Sequence, residues 1–267
     1  MKIIFDIGSN NGDDIPYYLH IADKVIAVEA NPKLCEVISK RFKTEIQNKR
    51  LFIENSAISD LNQKTVDFYI NKKHHVKSSI FAPKRFNNWE KVIVKTITCK
   101  ELLKKYGEPY YIKIDIEGAD KIFLEQLLDS KFKPRFISAE CHKLEIFSIL
   151  SEKLEYKTFK LVEGHKVNKI YKKKKLFSKS ANKIINYSFP KHSAGPFGND
   201  INGDWVDKDS LLRLLALKRL GWKDIHATTD NEAKELSILQ FFLETNLITL
   251  KEVLKFFFLK IKKTLKK

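Results

Sequence analysis

Residues 110–120 read YYIKIDIEGAD, an alternation of apolar and charged side chains that runs into a glycine. A period of two is typical of a β-strand and puts Lys113, Asp115 and Glu117 on one face. Three charges on one face are costly to bury unless they pair with each other or meet a polar ligand. The pattern therefore predicts a strand over residues 110–116 whose carboxyl end opens into a functional site, with a solvated edge strand as the alternative.

The rest of the chain alternates short apolar segments with helical patterns. This β–α alternation predicts a doubly wound, mostly parallel α/β sheet, in which ligands bind outside the carboxyl ends of the strands. Further strands are predicted at residues 3–7, 24–30, 51–58, 135–139, 157–162 and 222–228. Helices are predicted at residues 13–22, 32–42, 101–106, 120–128, 144–154 and 210–220.

The net charge of +17 is concentrated in two segments. Residues 164–199 contain nine lysines and residues 253–267 contain six, and neither segment contains an acidic residue. We therefore predict one domain over residues 1–229 with a basic lid insertion at 165–204, followed by an amphipathic, basic, helical tail at 230–267. Because 253–267 mixes phenylalanine and leucine with lysine, we expect it to contact an anionic membrane peripherally.

Cysteine usage and hydropathy bear on the compartment. Cys35, Cys99 and Cys141 are widely spaced and form no C-x-x-C pair, which suits free thiols in a reducing compartment. The chain opens directly on the strand-like segment IIFDIG, so we expect no signal peptide. The apolar runs, such as FFFL at 256–259, are too short to span a bilayer. These features predict a cytoplasmic protein, with any membrane contact peripheral at the inner face.

A second polar motif follows the first predicted strand. Residues 6–14 read DIGSNNGDD, in which Gly8 and Gly12 allow a tight turn and the close approach of a ligand. The second predicted strand ends in VEANP, where Glu29 is placed to accept hydrogen bonds from both hydroxyls of a ribose, as an alternative to a role at the start of the next helix. The loop lacks the G-x-G-x-x-G fingerprint, so we expect an adenosine-containing ligand without a pyrophosphate.

These motifs resemble those of the FkbM family of S-adenosylmethionine-dependent methyltransferases. The resemblance rests on DIGSNNG, VEANP, NSAISD and above all KIDIEGAD, and it covers roughly residues 3–228. It implies the class I methyltransferase (Rossmann-like) fold with seven strands, the last antiparallel, and S-adenosylmethionine as cofactor. It also implies O-methylation of a saccharide, a glycolipid or a related small molecule. The lysine-rich segment 166–191 and the tail 231–267 depart from the family, so neither inherits a role.

The resemblance also carries over a set of cofactor-binding residues, position by position. The first loop supplies four of them, Glu29 is the ribose acid, and Ser56 and Ala57 occupy the adenine-edge position. Asp115 is expected to hold the amino-acid part of the cofactor or to touch the substrate. The predicted cofactor site is Asp6, Gly8, Asn10, Gly12, Glu29, Ser56, Ala57 and Asp115.

The predicted catalytic residues are Asp115, Glu117, Glu140 and His142. The strand after KIDIEGAD ends in AECH, which puts Glu140 and His142 on one face by the period of two. Methyl transfer mainly requires positioning of the reactants, and a hydroxyl acceptor also benefits from a base or a metal. His142 is the natural base because histidine ordinarily titrates near neutrality, and a surface histidine is the alternative. Lys113 is expected to pair with one of the carboxylates.

Other functions remain open from the sequence. Three carboxylates and an imidazole can hold a divalent metal, but no ligand spacing along the chain supports this, and we predict none. The basic segments allow a nucleic-acid methyltransferase. DIEG stands where amino-group enzymes of that class have [DN]-P-P-[YF], and no Pro-Cys pair occurs, so a nucleic-acid partner is not expected. The third interpretation of the sequence is a non-enzymatic membrane-surface protein with this fold. The sequence does not indicate the oligomeric state.

Overall fold

The structure is a computed structural model that describes residues 1–59 and 64–244. The strands are β1 (Ile3–Ile7), β2 (Lys24–Val28), β3 (Leu51–Glu54), β4 (Ser56–Ile58), β5 (Thr65–Asn71), β6 (Trp89–Ile97), β7 (Tyr111–Ile114), β8 (Phe136–Glu140), β9 (Thr158–Glu163), β10 (Lys174–Ser178), β11 (Lys183–Tyr187) and β12 (Lys223–Thr228). The α-helices are α1 (Ile15–Ile21), α2 (Pro32–Arg41), α3 (Lys43–Gln47), α4 (Cys99–Tyr106), α5 (Asp120–Asp129), α6 (Leu144–Ser148), α7 (Val167–Ile170), α8 (Lys208–Lys218) and α9 (Ile238–Glu244). Short 3-10 helices span His75–Lys77, Gly164–Lys166 and Gly198–Asp200, and a π-helix, Ile149–Lys153, follows α6.

The main sheet has seven strands in the order β3-β2-β1-β7-β8-β12-β9. In this sheet β3, β2, β1, β7 and β8 run parallel to one another, whereas β12 is antiparallel to both β8 and β9. The order changes direction at β1, with β2 on one side and β7 on the other, and this switch point is where ligands bind in open α/β sheets. The predicted doubly wound sheet with an antiparallel last strand is confirmed, and the fold is that of class I methyltransferases.

The strand predicted at residues 51–58 is wrong as a single element. The Asn55 side-chain amide donates to the carbonyl oxygens of Glu29 and Ala30, at 2.9 and 3.1 Å, and this anchors the chain at the end of β2. On one side of Asn55, β3 continues the main sheet. On the other side, β4 pairs with β6 in a second sheet of order β4-β6-β5.

The strand predicted at residues 110–116 is shorter than expected. It ends at Ile114, and the chain then turns through Glu117 and Gly118, whose φ angles are 48° and 93°. Side-chain oxygens of Asp120 accept the backbone N–H groups of Ile116 and Gly118 at 3.2 and 3.1 Å, which fixes the turn before α5. Glu117 therefore reaches its position from a turn and not from a strand face.

The segment predicted as a basic lid, residues 165–204, packs largely against α1 and the sheet. Leu176 and Phe189 are buried beside α1, and Phe197 stacks on Tyr111 with ring centroids 4.0 Å apart. Burial of these apolar side chains holds much of the segment against α1 and the sheet. His192 is the member of this segment that lines the cleft described below.

The first part of the predicted tail also packs on the domain. Leu236 is buried in the main core, Phe241 packs against it, and Lys234 forms a bridge with Val206. The segment 253–267, for which membrane contact is predicted, lies outside the described residues. Within residues 1–59 and 64–244, no helix combines the length and apolar character needed to cross a bilayer.

Candidate active site

A cleft of about 280 Å³ opens at the carboxyl ends of β1, β2, β7 and β8. One of its walls is built by residues at or just beyond the ends of main-sheet strands and by β4. A second group of lining residues, called the second wall below, comes from outside the main-sheet strands. The first wall includes Gly8, Asn10, Glu29, Ser56, Ala57 and Asp115, and the second includes Val76, Ser78, Ile80, His192 and Trp222. Six of the eight predicted cofactor residues thus line one cleft.

Gly8 allows the loop after β1 to lie directly against the end of β7. Its φ is +88°, and a β-carbon placed on it would lie 1.8 Å from the carbonyl oxygen of Asp115. Only a residue without a side chain tolerates this approach. Gly12 differs, because its β-carbon would meet the side chains of Ile15 and Ile38 at 3.0 and 3.1 Å, away from the cleft. Gly12 therefore shapes the packing beneath the loop.

Glu29 connects the ends of β1 and β2. One carboxylate oxygen accepts the backbone N–H of Asn10 and the other accepts that of Asn31, both at 2.8 Å. Burial raises the pKa of Glu29 to about 7 despite these two bonds. Each carboxylate oxygen has a further lone pair, so the group can also accept hydroxyl groups from a ligand in the cleft.

Lys113 and Asp6 lie beneath the cleft. The Lys113 ammonium is 3.6 Å from an Asp6 oxygen and 3.5 Å from an Asp115 oxygen, and it donates to the Gly8 carbonyl at 3.0 Å. Burial alone would lower the pKa of Lys113, but Asp115 and Asp6 hold it well above its usual value. The predicted pairing of Lys113 with a carboxylate is confirmed. Asp6 contacts the loop after β1 through Lys113 and does not line the cleft.

Asp115, Glu117 and Glu140 meet at one end of the cleft. Each contributes a carboxylate oxygen, and these three oxygens lie within 4.8 Å of one another. The Glu117 turn is held by the Ser79 hydroxyl, which donates to the Glu117 carbonyl oxygen at 2.9 Å. Burial, together with the negative charges of Asp115 and Glu140, raises the pKa of Glu117 to about 7. This acid cluster can accept hydrogen bonds from hydroxyl groups or hold a cation.

His142 lies beside the acid cluster, with Nε2 2.8 Å from a Glu140 carboxylate oxygen. This hydrogen bond raises the pKa of His142 to about 9. The raised pKa favours the protonated imidazole, which donates this hydrogen bond to Glu140. The pKa near neutrality that was expected for His142 is found instead for Glu117.

Three further residues of this region were not predicted. Asp224 on β12 is the direct cross-strand partner of Glu140, and burial with Asp115 and Glu140 nearby raises its pKa well above the usual value. Trp222 and His192 line the cleft with their rings stacked 6.2 Å apart. Residues 221–227, which read GWKDIHA, contain two of these residues, Trp222 and Asp224, but only the antiparallel placement of β12 shows which strand they adjoin.

The FkbM methyltransferase domain model matches residues 6–161. The chain also resembles a solved FkbM methyltransferase from Methylobacillus flagellatus at 15% identity and a TM-score of 0.42, covering 60% of this chain and 39% of that one. It also resembles TrmK from M. capricolum, solved with S-adenosyl-homocysteine, at 10% identity and a TM-score of 0.39, covering 90% of this chain and 67% of that one. The resemblance to a precorrin-6y C5,15-methyltransferase from Geobacter metallireducens is at 11% identity and a TM-score of 0.37, covering 86% of this chain and 80% of that one.

The chain spans about two fifths of the Methylobacillus protein. A comparison with curated proteins finds no match. The family assignment therefore rests on the domain match, which extends over more than half of the sequence and includes the loop after β1, Glu29, the acid cluster and His142. The chain belongs to the FkbM methyltransferase family.

Proposed function

We propose that this protein transfers the methyl group of S-adenosylmethionine to a hydroxyl group of a saccharide, glycolipid or related small molecule. The observation that carries the proposal is that the acid cluster of Asp115, Glu117 and Glu140 lines the same cleft as the stacked rings of Trp222 and His192. Carboxylates accept hydrogen bonds from neutral polyols, and an aromatic face packs against a sugar ring. Both features occur at the same cleft as the predicted cofactor residues.

The first wall of the cleft fits S-adenosylmethionine. Gly8 leaves the loop backbone bare, Glu29 retains acceptor capacity for the ribose hydroxyls, and Ser56 and Ala57 form an edge beside the apolar side chain of Ile58. When bound, this cofactor supplies a methyl group on a positively charged sulfonium. The carboxylates of Asp115 and Glu29 are suited to a ligand that carries positive charge.

Each member of the acid cluster has a distinct chemical role in the proposal. Glu117 accepts the proton of the acceptor hydroxyl on a carboxylate oxygen, because it titrates near neutrality. His142 donates its Nε2–H to Glu140 and so holds the Glu140 carboxylate in place at the cleft. Asp115 remains paired with Lys113 and orients the reactants at the end of β7.

Replacing Glu29 with alanine is expected to weaken S-adenosylmethionine binding by about 1–3 kcal/mol, or roughly 5- to 150-fold in Kd. The change leaves the ribose hydroxyls without their acceptor and also frees the backbone N–H of Asn10. Isothermal titration calorimetry measures the effect. An unchanged Kd would remove Glu29 from the cofactor site.

The acceptor class can be tested with labelled S-adenosylmethionine and a cell extract separated into lipid, glycan and nucleic-acid fractions. We expect the label in the glycan or lipid fraction, and we expect none when Glu117→Gln replaces the wild-type enzyme. Label in the nucleic-acid fraction would overturn the proposed acceptor. Label that is independent of Glu117 would overturn the proposed base.

The nucleic-acid alternative is less well supported by this cleft. Phosphate groups would have to approach the Asp115, Glu117 and Glu140 carboxylates, and like charges repel. The lysines that suggested this alternative lie mostly in the segment beside α1 or in 253–267. A non-enzymatic role gives no reason for a partly buried acid cluster at the cofactor cleft. Cytoplasmic location and contact between 253–267 and an anionic membrane remain proposals.

A further inference from the structure

The hairpin formed by β10 and β11 has two different faces. Leu176 and Ile185 point inward and belong to the core beside α1, while Ser178 contacts the His20 ring at 2.9 Å. On the outer face, Phe177 and Ile184 form a cross-strand pair with exposed fractions of 58% and 71%. An adjacent aromatic and aliphatic pair that is this exposed is a candidate binding surface.

Positive charge surrounds this pair. Residues 164–199 contain nine lysines and no acid. Lys166 and Lys179 pair with Glu163 and Asp23. Among the described residues, the other lysines of the segment have no ion-pair partner. They include Lys169, Lys172, Lys173, Lys175 and Lys183, all exposed.

We propose that the outer face of the β10–β11 hairpin binds the surface of an anionic lipid bilayer. Phe177 and Ile184 enter the interface between the headgroups and the acyl chains, and the surrounding lysines contact the anionic headgroups. The two strands pair along five residues each, from Lys174↔Tyr187 to Ser178↔Lys183, and this register holds Phe177 and Ile184 side by side on the outer face. The charge complementarity identifies the partner, and the exposed apolar pair distinguishes a bilayer from a purely ionic ligand.

The hairpin is connected to the cleft through a short segment. After Tyr187 ends β11, Phe189 is buried against Tyr17 of α1, and His192 then lines the cleft. Ser193 and the backbone N–H of Ala194 bond to Asp14 at the start of α1. The hairpin that binds the bilayer is therefore continuous along the chain with His192, which lines the cleft. The membrane binding itself does not depend on the proposed reaction.

Co-sedimentation of the full chain with vesicles tests this inference. Vesicles of equal parts phosphatidylglycerol and phosphatidylcholine should bind the protein, and pure phosphatidylcholine vesicles should not. The double variant Phe177→Ser/Ile184→Ser should bind the anionic vesicles about tenfold more weakly or worse. The matched control is Ile93→Ser, since Ile93 is 73% exposed on the second sheet, and its binding should be unchanged.

A charge variant and a truncation complete the test. Lys172→Ala/Lys173→Ala should weaken vesicle binding by about 25-fold, since each lysine near an anionic surface contributes about fivefold. Circular dichroism must show that the variants are folded. Full binding by the Phe177→Ser/Ile184→Ser variant, with loss on removing residues 253–267, would assign the membrane contact to the tail and overturn the inference. Binding of single-stranded RNA without binding to vesicles would overturn it as well.

Discussion

Replacing Glu117 with glutamine is expected to lower turnover by about 10²–10⁴-fold, the usual contribution of a general base. Glutamine keeps the shape of the side chain but cannot accept the proton of the acceptor hydroxyl. The Glu117 carboxyl is suited to this role because burial, Asp115 and Glu140 together raise its pKa to about 7. The Kd for S-adenosylmethionine should change little, since Glu117 is not among the predicted cofactor-binding residues.

The pH dependence of the wild-type enzyme provides the second half of this prediction. Glu117 binds a proton below about pH 7 and loses it above, so kcat/KM should rise through that range. It should fall again near pH 9, where His142 loses the proton that it donates. Steady-state kinetics from pH 5 to 10 on both proteins checks this. Glu36→Gln, at an exposed site on α2, is the matched control. If Glu117→Gln keeps wild-type turnover and the rising limb, another group is the base.

Replacing Gly8 with alanine is expected to abolish most of the activity. The alanine β-carbon and the Asp115 carbonyl oxygen must move apart by about 1.6 Å to reach an ordinary contact of 3.4 Å. A displacement of about 1 Å at a reacting site is enough for a loss of about 10²-fold in rate. In addition, an alanine held at a φ of +88° costs about 1–2 kcal/mol of conformational energy.

Gly203→Ala is the matched control for Gly8→Ala. Gly203 has a φ of +82°, and no atom lies within 4 Å of a β-carbon built there. The two variants share the backbone strain, so their difference isolates the contact with Asp115. Kinetics, calorimetry and thermal unfolding should show a modest loss of stability in both, with loss of turnover and of cofactor affinity confined to Gly8→Ala. Equal behaviour of the two variants would mean that the loop does not need its close approach to β7.

The sequence predicted the parts of the structure that are determined by local patterns. The alternation around Lys113 identified β7 and its polar end, and the resemblance supplied the seven-stranded sheet with its antiparallel last strand. The break at Asn55 was not predicted, because it depends on bonds to the end of β2, which is distant along the chain. Asp224 was missed because its neighbour Glu140 belongs to another strand.

The packing of the lysine-rich segment was not predicted for a different reason. Its charges indicated a basic lid insertion, but they did not indicate which of its apolar residues pack against α1 and the sheet. Phe189 and Phe197 do so, on α1 and on Tyr111. Single-chain patterns report the periodicity of a helix or strand, and they do not report which irregular segment covers a sheet face.

The two walls of the cleft have different consequences for engineering. Gly8, Glu29 and Asp115 are fixed by hydrogen bonding at the ends of main-sheet strands. The second wall is formed by the connection around residues 76–80 and by the residues near 192 and 222. A combinatorial library that varies only this second wall would sample new acceptors while retaining the methyl donor. New specificities could therefore be selected without rebuilding the chemistry.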